Sequence, residues 1–228
     1  MMKERIKRVI ERIAEAAERA GRDPAEVGLV AVTKTHPEAA VREAADAGLS
    51  VFGENYVQEA RDKIEALADL DLSWHFIGHL QSNKAKYAVD LFDLIHSVDS
   101  LKLAKEIDKQ AEKRGKVQDV LVQVNLGNEP TKSGTGQDEA ADLCRETARL
   151  KHVKIRGLMT MPPFFDEPEK ARPYFAALSR LRDRIAALSI EGVFMEGLSM
   201  GMTGDFEAAV EEGATWVRIG TAIFGERQ

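Results

Sequence analysis

Residues 28–48, GLVAVTKTHPEAAVREAADAG, run from an apolar stretch through a proline-marked turn into a helix-forming segment. Within it, LVAVTK (29–34) does not alternate polar with apolar side chains, as expected of a strand buried on both faces. Pro37 then opens PEAAVREAADAG, which Gly48 closes. The same succession recurs down the chain. Apolar runs follow at SVFGE (50–54), SWHFIG (73–78), DLIHSV (93–98), DVLVQVN (119–125), VKIRGLM (153–159), MEGLSM (195–200) and WVRIG (216–220). Helix-forming segments such as NYVQEARDKIEALADL and SLKLAKEIDKQAEKRG separate them. Eight such units in 228 residues predict an α/β protein built as a (β/α)8 TIM barrel rather than an open doubly wound sheet.

One extra helix is predicted in front of the barrel. Ile6, Val9, Ile10, Ile13, Ala17 and Ala20 recur at three- and four-residue intervals, and Gly21 and Pro24 mark its end. No low-complexity or Ser/Gly-rich linker interrupts the pattern, so residues 1–228 are expected to form a single domain. The longest irregular segment, GNEPTKSGTGQ (127–137), follows the fifth run and is expected to be a mobile loop on the active face.

Composition excludes several classes. The net charge of −6, with both signs interspersed, argues against nucleic acid or an anionic membrane surface as a partner. No apolar run is long enough to span a bilayer, and the charged N-terminus lacks the core of a secretory signal. The one cysteine, Cys144, sits at helical spacing with Ala140, Ala141, Leu143 and Ala148, which reads as a buried structural thiol. A cytoplasmic monomer is the expectation. Five histidines without paired spacing give no case for a metal, and no carboxylate pair stands out for hydrolysis.

Ligands of such barrels sit at the C-terminal ends of the strands, with phosphate commonly held by the loops after strands seven and eight. Those loops read SMGMTGDFEAAVEEG (199–213) and RIGTAIFG (218–225). The first offers Ser199, Met200 and Gly201 ahead of Thr203, and the second offers Gly220 and Thr221. Glycine permits close backbone approach, and backbone N–H groups attract phosphate. Arg218 interrupts an otherwise buried strand, and alternation turns it toward the barrel mouth. Its acceptor there is a protein carboxylate or the ring nitrogen of a pyridoxal cofactor. Lys34, where strand one ends, supplies an amine able to form a Schiff base with an aldehyde. Together these residues describe a pocket for pyridoxal 5′-phosphate (PLP). Among the histidines, His75 reads as a core residue, while His36, His79 and His96 lie near strand ends.

Several stretches then carry a resemblance to the pyridoxal phosphate homeostasis protein family. They are AVTKTHP (31–37), VFGENYVQEA (51–60), WHFIGHLQSNK (74–84), HSVDS (96–100), QVN (123–125), TKSG (131–134), GLMTMPP (157–163) and LSMGMTGDFEAAVEEGATWVRIGTAIFGER (198–227). The resemblance covers nearly the whole chain and implies a PLP fold type III barrel, like the N-terminal domain of alanine racemase. It also implies a PLP aldimine at Lys34, with Asn55 beside the cofactor. Ser199, Gly220 and Thr221 are implied to bind the phosphate, Met200 and Gly201 to line it, and Arg218 to face the pyridine nitrogen. Lys132 resembles a loop lysine that makes a second PLP contact or hands the cofactor on. Thr203 departs from the serine of many relatives but keeps the hydroxyl. Gly204 and Met161 also depart from the family pattern, at positions without a proposed chemical role.

The function implied is a PLP carrier or regulator in vitamin B6 homeostasis, with apo-PLP enzymes as partners and no turnover of its own. A racemase needs two bases on opposite faces of its substrate, and the chain ends at Gln228 just after the last barrel helix. The alternatives are a PLP-dependent amino-acid racemase-like enzyme, with a second base drawn from Lys132 or a histidine, and a cofactor-free aldolase using Lys34.

Overall fold

Each apolar run of the sequence forms a strand in the computed structural model, which describes residues 1–127, 129 and 132–226. The strands are β1 (Gly28–Val32), β2 (Val51–Glu54), β3 (Ser73–Phe76), β4 (Leu94–Val98), β5 (Gln118–Val124), β6 (Val153–Thr160), β7 (Val193–Ser199) and β8 (Trp216–Ile219). The helices are α1 (Met2–Arg19), α2 (Glu38–Asp46), α3 (Val57–Ala66), α4 (Ala85–Leu91), α5 (Leu101–Lys113), α6 (Ala140–Ala148), α7 (Arg172–Ala187), α8 (Phe206–Glu211) and α9 (Thr221–Phe224). All eight strands are parallel and close in chain order into a barrel, with β1 pairing β8 through Val30 opposite Arg218. This is the (β/α)8 architecture read from the sequence, with α1 added in front.

Strand alternation divides the side chains into two sets. Phe52, Phe76, Ile95, Val120, Val122, Ile155, Leu198, Val217 and Ile219 are buried in the large cluster that also takes in the helices. Phe175, Leu178 and Ile185 of α7 join it, as does Cys144 of α6. Burial pushes the Cys144 thiol up to about 12, so it stays protonated and inert, as its helical spacing suggested. A second, small cluster of Leu94, Leu121 and Met159 lies apart from the first. Beside it the barrel interior carries a group of polar side chains that bonds non-adjacent strands to one another.

The N-terminal helix buries Met2, Ile6, Val9, Ile13, Ala16 and Ala17. Its Arg12 lies over the Phe206 ring, and Arg19 pairs with Glu211, so α1 is docked on α8. The expected apolar face needs one correction. Ile10 is about half exposed and Ala20 is the exposed cap residue, because the buried stripe runs through Val9, Ile13 and Ala16 instead. In the loop after β5, residues 128, 130 and 131 lie outside the described set, but Thr135 returns to bridge Val124 in parallel, and its N–H donates to Gln123 O. That end of the segment extends the sheet edge.

Candidate functional site

Lys34, two residues beyond β1, and Arg218, on the neighbouring β8, share one cavity of about 340 Å³ at the C-terminal ends of the strands. Asn55 lines it just after β2, and Gly220 and Thr221 line it just after β8. Pro163, Phe164 and Phe165, from the segment after β6, form an apolar wall whose outer edge, Phe164, is 87% exposed. His36 lines the rim and stacks on Phe224 at 4.9 Å between ring centroids. The volume suits a small cofactor, and the mixture of an apolar wall with a few converging polar groups is typical of such sites.

Five of the nine sequence candidates, Lys34, Asn55, Arg218, Gly220 and Thr221, are therefore brought together. Four do not line this cavity. Ser199 is fully buried beneath it, with its hydroxyl engaged by Arg218 and His96. Met200 is fully buried in the core. Gly201 is buried as well, at φ +89°, where an added Cβ would lie 2.5 Å from the Ala209 Cβ, so glycine there lets the loop close onto α8. The loop reaches the cavity from the next residue on, through Met202, Thr203, Gly204 and Asp205. Lys132 lines an adjoining cavity of about 220 Å³ that shares Asn55, Ile77 and Met161 with the first. Its ammonium pairs with Glu129 at 2.9 Å and donates to Pro162 O at 3.1 Å.

Sequence reasoning missed Asp205. Its Oδ1 accepts from Met202 N at 2.7 Å, which folds the 202–205 turn, and burial raises its carboxyl above the usual range. The segment 161–165 was missed too, because PPFF after a strand carries no periodic signal. The proline pair in an apolar setting was the available clue.

Arg218 is 3% exposed, and the hydrogen bonds of its guanidinium go to Ser199 Oγ (2.6 Å) and Thr160 O (3.0 Å). The carboxylate partner weighed from the sequence is absent from these bonds, although Asp205 still acts on the cation through space. Burial draws Arg218 down to about 10, which leaves it protonated at neutral pH. Ser199 then meets His96 Nδ1 at 2.8 Å, and His96 Nε2 meets His75 Nδ1 at 3.1 Å. His96 on β4 and Ser199 on β7 sit on strands three places apart, so their contact crosses the barrel interior. Arginine only donates, so Ser199 Oγ accepts from it. The sense of the Ser199–His96 and His96–His75 bonds follows the tautomers of the two rings. The chain gives His75, read from the sequence as a core histidine, a buried partner and puts His96 beneath the site.

Both rings are neutral at pH 7. Burial pulls His75 down to about 4, and it pulls His96 well below its ordinary value, with His75 and Arg218 adding to the effect. The unfolded chain therefore binds more protons than the fold between about 6.5 and about 4. The associated stability is complete above that window and is lost as pH falls through it. His75 alone should cost about 2 kcal/mol on going from pH 7 to pH 5. In His75→Asn the side-chain amide can accept from or donate to His96 without titrating, so the urea midpoint of that variant should fall less between these pH values. Equal pH slopes in the two proteins would contradict the assignment.

Among the described residues, no group of three or more His, Cys, Asp or Glu side chains is placed to hold a metal, and no helix is long and apolar enough to cross a membrane. Comparison with known proteins adds kinship to this geometry. The family described as "Alanine racemase, N-terminal domain" matches residues 5–228. A pyridoxal phosphate homeostasis protein of Aquifex aeolicus is 52% identical over 225 residues, covering 99% of this chain and 98% of that protein. The structure of PipY of Synechococcus elongatus with PLP bound superposes with a TM-score of 0.83 at 42% identity, covering 93% of this chain and 100% of that one. An alanine racemase of Clostridium difficile matches at a TM-score of 0.71 and 15% identity, covering 98% of this chain and 57% of that one, a likeness of fold alone. By sequence along its whole length and by its closed barrel, the chain belongs to the pyridoxal phosphate homeostasis protein family, within the larger family of the alanine racemase N-terminal domain.

Proposed function

We propose that this protein binds PLP in the cavity after β1 and β8, holds it covalently at Lys34, and serves intracellular PLP homeostasis without turning over a substrate. The observation that carries this is one cavity walled by an amine, a buried guanidinium and an amide oxygen that has no partner. Asn55 Oδ1 is buried and makes no hydrogen bond, so a ligand donor fits there. When bound, the cofactor supplies an aldehyde that condenses with a lysine amine.

Each residue has a distinct part in this account. Lys34 reaches the cavity from the end of β1. Thr203, Gly204, Gly220 and Thr221 offer hydroxyls and approachable backbone for a phosphate, which replaces the Ser199 to Gly201 contact expected from the sequence. Arg218 has five N–H donors, of which Ser199 Oγ and Thr160 O take two, and the side chain also lines the cavity. Because it keeps its proton, it can donate a hydrogen bond to a ring nitrogen without protonating it. The ring's capacity to accept electrons stays weak, which favours holding the cofactor over carbanion chemistry. Among the described residues, the titratable groups lining the cavity apart from Lys34 and Arg218 are His36 and Asp205. His36 follows Lys34 on the same turn, and Asp205 is occupied by Met202 N, so neither is set as a second base across a substrate. A cytoplasmic, monomeric carrier that passes PLP to apo-enzymes completes the proposal.

The test is an exchange assay in D₂O. The loaded protein, mixed with L-amino acids, should exchange α-protons no faster than free PLP, yet should restore activity to an apo-PLP enzyme. Saturable exchange or racemisation would overturn the non-catalytic part.

A further inference from the structure

Thr35, the residue after Lys34, has φ +66°, a left-handed backbone that a β-branched side chain rarely adopts. What holds it there is a charged cluster on β2 and α3. Thr35 N donates to Glu59 Oε1 at 2.5 Å. The same oxygen accepts from Lys63 Nζ at 2.6 Å. Lys63 is 5% exposed, and its other contacts are Glu54 Oε1 (2.6 Å) and the carbonyl oxygen of Thr33 (2.6 Å), so all three ammonium protons are used. Glu54 is fully buried and also accepts from Thr33 Oγ at 2.6 Å. The residues on both sides of Lys34 are thus fixed by one ammonium and two carboxylates, none of which lines the cavity.

Burying an ion pair is costly in itself, and packing alone would be served as well by apolar side chains. We infer that Lys63, Glu54 and Glu59 are positioning residues that hold the Thr33–Thr35 turn in its left-handed form and so aim Lys34 into the cavity. The inference rests on Lys34 being the cofactor anchor. It treats the turn as a two-state element, in which the clamp keeps populated a backbone form that threonine would otherwise leave.

The test uses full-length apo-protein and PLP itself, with borohydride fixation at Lys34 and absorbance titration as readouts, and a urea midpoint as the control for folding. Glu59→Ala removes the acceptor of Thr35 N at a partly exposed position and should weaken PLP uptake about tenfold, the population factor that a left-handed threonine carries. The urea midpoint should change little. Glu59→Gln retains an accepting oxygen and should bind within about twofold of wild type. Glu59→Ala combined with Thr35→Gly should recover most of the loss, because glycine needs no clamp to adopt positive φ. The double variant Lys63→Met with Glu54→Gln removes both buried charges together and should lose at least as much uptake as Glu59→Ala. Unchanged uptake in Glu59→Ala, or a loss that neither Glu59→Gln nor Thr35→Gly restores, would overturn the inference. A wild-type protein that fixes no pyridoxyl group at Lys34 would instead remove the anchor itself, a result read before any variant is made.

Discussion

Lys34→Ala is expected to take up no borohydride-fixable pyridoxyl group while remaining folded. Lys34 is half-buried on the cavity wall and lies outside both hydrophobic clusters. Truncation at such a position costs roughly 1 kcal/mol or less, against a typical domain stability of about 5–15 kcal/mol. The loss of covalent cofactor should nevertheless be complete, because no other lysine lines this cavity among the described residues. Lys132 serves as an internal control. It lies in the adjoining cavity, so fixation that shifts to Lys132 in the variant would show PLP reaching the second cavity. Stoichiometric fixation in Lys34→Ala at a lysine that already carries the label in the wild type would show that Lys34 is not the anchor.

The second large effect is expected at Arg218. Arg218→Glu would place a carboxylate where Ser199 Oγ and Thr160 O now accept hydrogen bonds, and near Asp205. Leaving a buried charge uncompensated costs about 3–5 kcal/mol, a large share of the total, so this variant should show a markedly lower urea midpoint. It should also lose the near-visible band of the bound cofactor or shift it strongly. Arg218→Gln separates the two effects. It can keep a donor toward Ser199, removes the cation, and should remain folded with PLP affinity weakened about tenfold to a hundredfold, the value of a charge-assisted hydrogen bond. A spectrum and affinity unchanged in Arg218→Gln would show that the guanidinium does not meet the cofactor ring.

The barrel was legible because its strands are short, apolar and separated by helices with clear ends. Each of the eight runs became a strand within a few residues, since burial on both faces leaves little else for LVAVTK or DVLVQVN to do. The site was legible where one strand position decides the direction. Period-two alternation turned Arg218 inward, and the end of β1 carried Lys34 to the cavity. The loop after β7 was harder, because strand periodicity stops there. Ser199 still belongs to the strand and points into the interior, Gly201 packs on α8, and the loop reaches the cavity only from Met202 to Asp205. The histidine chain was invisible for a different reason. His96 and Ser199 are 103 residues apart, and only closure of the barrel brings β4 and β7 to face one another across its interior. The clamp on Thr35 likewise depends on Glu54, Glu59 and Lys63 meeting the β1 turn across three elements.

The most direct measurement is the near-visible absorbance spectrum of the purified wild-type protein incubated with PLP, followed by borohydride reduction and peptide mapping. A yellow protein whose pyridoxyl group maps to Lys34 at close to one equivalent is the predicted result. A colourless protein that refuses added PLP, or one labelled elsewhere with Lys34 unmodified, would contradict the assignment of this cavity to the cofactor.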